Sequence, residues 1–131
     1  MWDTNLLMSD GQVVTADGWS GSAIAAAPAP NSGLPLELAV SYSGSAGGSD
    51  SLHVSVYAKD TDGGWSTTPS AAIDRVCAFN LITALSAREF QRVFTNKAYI
   101  KAYYDITDTS GSAQFTCALG VVSGFQRDAG I

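Results

Sequence analysis

The stretch LPLELAVSYSGSAGGSDSLHVSVYAK, Leu34 to Lys59, decides the fold. Its first part places Leu34, Leu36, Leu38, Val40 and Tyr42 at every second position. Its last part sets Leu52, Val54 and Val56 against Ser51, His53 and Ser55. Side chains of an extended chain point alternately to opposite faces, so this period of two reads as two strands, each with one face on a core. Between them, Gly44, Gly47 and Gly48 lie among serines. An interdomain tether would need an independent domain before it, and the preceding residues are too few to bury one. SGSAGGSD, Ser43 to Asp50, is therefore expected to be a long hairpin loop at the end of a sandwich.

The same alternation recurs along the chain. In AYIKAYYDI, Ile100, Ala102, Tyr104 and Ile106 oppose Tyr99, Lys101 and Tyr103; in QFTCALGVV, Phe115, Cys117, Leu119 and Val121 share a face. Gln12 to Ala16, Ser22 to Ala27 and Ala71 to Ile82 are shorter strand candidates. About seven or eight strands, with turns every ten residues or so, predict an all-β, antiparallel β-sandwich in a single domain. Asp60 to Gly64 and Asp108 to Ser112 have the Asp and Gly chemistry of turns. Residues 1–11 read as an N-terminal arm. Residues 25–35, with Pro28, Pro30 and Pro35, read as an extended connection, because proline donates no hydrogen bond to a sheet. One short helix is expected near 87–94. Ser86 and Glu89 have capping-box spacing, and Phe90, Val93 and Phe94 would share a helical face.

Composition narrows the function. Charged residues make up 15 % of the 131, well below an ordinary soluble domain, which suggests a surface covered by a partner or by copies of the same chain. The net charge is −5, and five of the seven cations lie between Arg75 and Lys101, interspersed with apolar residues. No block of them could neutralise a row of phosphates, so direct nucleic-acid binding is not expected. The start, MWDTNLLMSDGQ, has neither a basic leader region nor a long apolar run, and no stretch is long enough for a membrane span. Cys77 and Cys117 have no metal-ligand spacing and read as small buried hydrophobes of a protein made in the cytoplasm.

The search for catalytic chemistry is mostly negative. His53, the single histidine, has no nucleophile elbow or acidic partner in sequence to build a triad. Asp60-Thr61-Asp62-Gly63 opens like a calcium loop but lacks the remaining ligands. Asp105 and Asp108, which flank a turn, are the only candidates for a glycosidase-like pair. No catalytic residue, metal site or cofactor is expected. The three tryptophans, Trp2, Trp19 and Trp65, lie near ends or turns. They have three readings: end plugs, anchors in an oligomer or other protein interface, or a platform for sugar rings.

Three segments together resemble a known family. Trp2 to Thr15, with Leu6, Ser9, Asp10, Gln12, Val14 and Thr15, is similar to the opening of the small capsid cement, or decoration, proteins of tailed bacteriophages. Leu52 to Thr68 resembles their strand–turn–strand segment, and Ala98 to Val122 their closing hairpin. The three occur in the family's order and cover about half the chain, whereas Ile73 to Lys97 does not align. The resemblance implies a jelly-roll-like β-sandwich on the outer surface of the virion, bound to the major capsid protein as a homo-oligomer, a dimer or trimer, without catalysis. Trp2, Leu6, Leu7, Pro28, Pro30 and Leu34 are the expected capsid contacts, and Trp19 and Trp65 the expected oligomer contacts or end plugs. A carbohydrate-binding or adhesive sandwich displayed on a virion or cell is the alternative.

Overall fold

The computed structural model describes residues 7–25, 34–43, 50–65, 75–83, 87–108 and 113–122. These residues form ten strands: β1 (Leu7–Val14), β2 (Gly18–Trp19), β3 (Ile24–Ala25), β4 (Leu34–Tyr42), β5 (Ser51–Lys59), β6 (Arg75–Ala78), β7 (Ile82–Thr83), β8 (Ala87–Val93), β9 (Tyr99–Thr107) and β10 (Phe115–Val121). One sheet has the order β1-β10-β4-β8. The other has the order β2-β9-β5-β6, with β3 also on β9 and β7 also on β5. All pairings are antiparallel.

If β2 and β3 count as one interrupted position, and β6 and β7 as another, the topology resolves into a jelly roll. The first position then lies beside the last, and the third beside the sixth. The second lies beside the seventh, and the fourth between the seventh and fifth. Only β5 and β6 are neighbours both in sequence and in a sheet. Every other step crosses between layers, as two nested Greek keys require.

The layers meet through the faces that the alternation marks. Leu36, Leu38 and Val40 of β4 and Phe115, Cys117 and Leu119 of β10 pack against Leu52, Val54 and Val56 of β5 and Ile100, Ala102 and Tyr104 of β9. Their burial removes apolar surface from water and is the main favourable term holding the two sheets together.

Four expectations are corrected. Residues 87–94 do not form a helix. Ala87 to Val93 pair in continuous register with Val40 to Leu34. Ala87, Glu89, Gln91 and Val93 turn inward, while Arg88, Phe90 and Arg92 turn outward. The second edge of β4 must find partners for its N–H and C=O groups, and a strand supplies them where a helix cannot. The capping residue Glu89 instead accepts the Asn80 N–H on both carboxylate oxygens, each at 3.1 Å.

SGSAGGSD does not close a hairpin. β4 and β5 lie in different sheets, so this run joins one layer to the other. Of the run itself, only Ser43 and Asp50 are described. Asp50 is fully buried and accepts a hydrogen bond from the Tyr42 hydroxyl. The N-terminal arm is also shorter than expected, because Leu7 to Gly11 already belong to β1. Likewise Ala25 ends β3, and Leu34 and Pro35 open β4, which leaves residues 26–33 of the expected connection outside the described residues.

β1 is irregular for a physical reason. Its register against β10 shifts between Leu7 and Ser9 and again between Ser9 and Gln12, so each interval carries an extra residue. Gly11 takes φ 67° there, a conformation costly for a residue with a Cβ.

Candidate functional site

The SDGQ stretch of β1 builds a polar node. The Tyr104 hydroxyl, on the buried face of β9, lies 2.6 Å from Ser9 Oγ. Ser9 Oγ in turn donates to Gln12 Oε1 at 2.6 Å, so the tyrosine is the donor to the serine. Gln12 Oε1 also accepts the Gly21 N–H, and its amide nitrogen donates to the Trp19 carbonyl. Burial pushes the Tyr104 phenol well above its ordinary value, so it remains a donor. The node ties the bulged edge of one sheet to β2 and β9 of the other. It also joins the first and last of the three segments that carry the family resemblance.

A second cluster covers the outer face of the β2-β9-β5-β6 sheet. Trp19 has ring centroids 5.6 Å from Tyr57, 5.3 Å from Trp65 and 5.1 Å from Tyr103. The Lys59 ammonium donates to the Gly63 and Gly64 carbonyls and lies 5.3 Å from the Trp65 ring. The Lys101 ammonium lies 5.8 Å from the same ring. These rings meet edge-on or tilted, and two cations lie over Trp65, so they pack on one another. Trp19 and Trp65, expected as end plugs or oligomer contacts, lie side by side on this face.

The outer face of the four-stranded sheet has a low, open centre. Ala39 and Ser41 of β4 stand opposite Ala118 and Thr116 of β10. With Gly11 and Arg88 at its margins, this floor forms an open trough of about 550 Å³. The Arg88 guanidinium holds the Glu37 carboxylate at 2.9 Å along one side. Among the described residues, the large apolar side chains that stand mostly in water are Val13 (55 % exposed), Leu81 (60 %), Phe90 (59 %) and Phe94 (64 %).

Of the expected capsid contacts, Trp2, Leu6, Pro28 and Pro30 lie outside the described residues. Leu7 and Leu34 are 9 % exposed and spend their apolar surface on the fold, which leaves little for a partner. His53 stands opposite Asp105 on adjacent strands, but no hydrogen bond or ion pair joins them. Asp108 accepts the Ala113 N–H and braces the chain between β9 and β10. Among the described residues, no cluster of three His, Cys, Asp or Glu side chains could hold a metal ion. Cys77 and Cys117 are free thiols, each pushed up to about 12 by burial, with Glu89 adding to the rise at Cys77. They are protonated at neutral pH and therefore poor nucleophiles. No helix among the described residues is long and apolar enough to cross a membrane.

Sequence reasoning missed the trough and the outward row of β8. The row was readable in AREFQRVF at period two, as Arg88, Phe90, Arg92 and Phe94, had the helical pattern not taken precedence. No known family model matches the chain, and no curated protein shows significant similarity to it.

Proposed function

We propose that this chain is a structural virion protein that binds the outer surface of an assembled phage capsid and stabilises contacts between major capsid proteins. The observation that carries this reading is the broad, open outer face of the β1-β10-β4-β8 sheet. Ala39, Ser41, Thr116 and Ala118 keep it low, and Val13 and Phe90 stand exposed on its strands. Small side chains let a broad, rigid surface approach the backbone closely and lose little rotamer freedom on contact. Such a face suits a large partner better than a small molecule, which binds in enclosing pockets. The low charge content and the order of the three family-like segments support the same reading.

The mechanism is mechanical. Packed DNA pushes a shell outward, and the seams between capsid subunits are where it opens. A protein that binds only the closed seam stabilises it by mass action. An oligomer engaging two or more subunits gains effective concentration, so each contact can be modest.

Sedimentation with expanded, empty shells of the cognate phage tests this. The wild-type chain is expected to pellet with shells and to raise their rupture temperature. Ala118→Arg and Ala39→Arg, which put long charged side chains on the floor, are expected to stay in the supernatant with an unchanged circular dichroism spectrum. Deletion of residues 1–6 is expected to weaken binding, since Trp2 and Leu6 are proposed contacts. A wild-type chain that ignores shells and binds on a glycan array instead overturns the function. Arginine variants that pellet like wild type overturn the face.

A further inference from the structure

The outward side of β8 has a pattern of which the proposed function uses only Phe90. Along one line run Arg88, Phe90, Arg92 and, just past the strand, Phe94, all exposed. Cation and aromatic ring alternate. Leu81 is exposed too, and its neighbour Asn80 is hydrogen-bonded to Glu89 of β8. Three of the four mostly exposed large apolar side chains among the described residues therefore lie on or beside this margin.

β8 is also a free edge. It closes the four-stranded sheet, and among the described residues no strand pairs with its other side. Unpaired N–H and C=O rows at an edge invite another strand, and proteins usually blunt them with bulges, proline or cover. β1, the opposite edge, is blunted by two register shifts. β8 keeps an unbroken register with β4 from Ala87 to Val93, and it contains no proline.

We propose that β8 pairs antiparallel with the β8 of a second copy about a twofold axis at Gln91, joining two four-stranded sheets into one. The pattern itself selects this register. In an antiparallel pair, directly opposed residues share a face and interact. An axis at Phe90 sets Arg88 against the second copy's Arg92, and an axis at Arg92 sets arginine against arginine. An axis at Glu89 matches Arg88 with Phe90 but leaves Arg92 and Phe94 outside the alternation. An axis at Gln91 sets Arg88 opposite Phe94 and Arg92 opposite Phe90, twice each, so every cation meets a ring and no like charges are opposed. The occupant is thus another copy of the same chain, because the row is complementary to itself under a twofold. The contact is isologous and closes at two subunits. It does not depend on what else the protein binds.

Sedimentation equilibrium on the full chain tests the association, and cysteine cross-linking tests the register. The wild-type chain is expected at twice the monomer mass. Phe90→Arg, a change at an exposed position, is expected to weaken the dimer at least about tenfold while circular dichroism stays native, because it sets arginine opposite Arg92. Gln91→Cys is expected to form an interchain disulfide on mild oxidation, since residues facing across the axis approach within disulfide range. Glu89→Cys is expected to form none, because its opposite number is Val93. The wild-type chain, in which Cys117 is buried and Cys77 half-covered, serves as the blank. A monomer or a trimer in solution overturns the proposal. So does a Phe90→Arg dimer as tight as wild type, or cross-linking through Glu89→Cys in preference to Gln91→Cys.

Discussion

β1 and β8 bound the same four-stranded sheet, and they are built by different rules. β1 is bent by extra residues on either side of Ser9, carries Gly11 at positive φ, and is tied by Ser9 and Gln12 to Tyr104 and to the Trp19–Gly21 segment of the facing sheet. Its edge groups are diverted into the fold. β8 runs straight, holds its register along β4, and turns two arginines and an aromatic ring outward. One edge is closed by its own chain, and the other is left with a patterned surface. A bulge spends backbone regularity to stop strand addition, whereas a straight edge keeps that option. The difference separates the part of the sheet that secures the fold from the part that is available for contact.

The comparison can be broken most severely from inside β8. Val93 has no exposed surface and lies beside Leu34 across the strands. Val93→Asp would bury an unpaired carboxylate at a cost of about 3–5 kcal/mol, and circular dichroism is expected to show a largely unfolded chain. Alkaline titration reaches both sheets at once. The Cys117 thiol of β10 and the Cys77 thiol of β6, beside Glu89, are raised from an ordinary 9.0 to about 12. A raised folded-state value means that their stabilisation is complete below 9.0 and is lost as pH climbs toward 12. For the fully buried Cys117 the loss approaches about 1.4 kcal/mol per pH unit, and for half-covered Cys77 it is smaller. Tyr104, also raised, acts in the same direction. The urea midpoint should therefore fall steadily over that window, and a flat midpoint contradicts the burial of these groups.

Smaller effects sharpen the contrast at β1. Tyr104→Phe removes the donor to Ser9 and should cost about 1–2 kcal/mol in urea unfolding. Gly11→Ala should cost about 1 kcal/mol, purely through the backbone, because nothing lies within 4 Å of the added carbon. Phe90→Ser on the outer row should change the stability of the single chain by no more than about 0.5 kcal/mol, measured at a dilution where self-association is absent. A large loss there would mean that Phe90 belongs to the core of its own chain.

Much of the fold was legible. β4, β5, β9 and β10 each have a face sealed in the core, so their apolar residues recur at every second position and nothing else fits. β8 was not legible. It sits at a margin, where Glu89 and Gln91 point inward yet reach polar partners, so the inner face carries little hydrophobic signal. Phe90, Val93 and Phe94 then imitate a helical stripe, although the structure sends Val93 inward and Phe90 outward. The connection after β4 was misread for a different reason. Two adjacent strands and a glycine-rich run look alike whether the chain folds back within one sheet or crosses to the next.

The sequence by itself determined that this is an all-β chain with four strong strands and few charges, because periodicity and composition are local properties of the chain. Which strands became neighbours was decided only by the tertiary structure. So were the link from Ser9 to Tyr104, the gathering of Trp19, Tyr57, Trp65 and Tyr103 on one face, and the exposure of β8 as an edge. Those outcomes follow from pairing residues far apart in sequence, where the demand of every buried N–H and C=O for a partner overrides local preference.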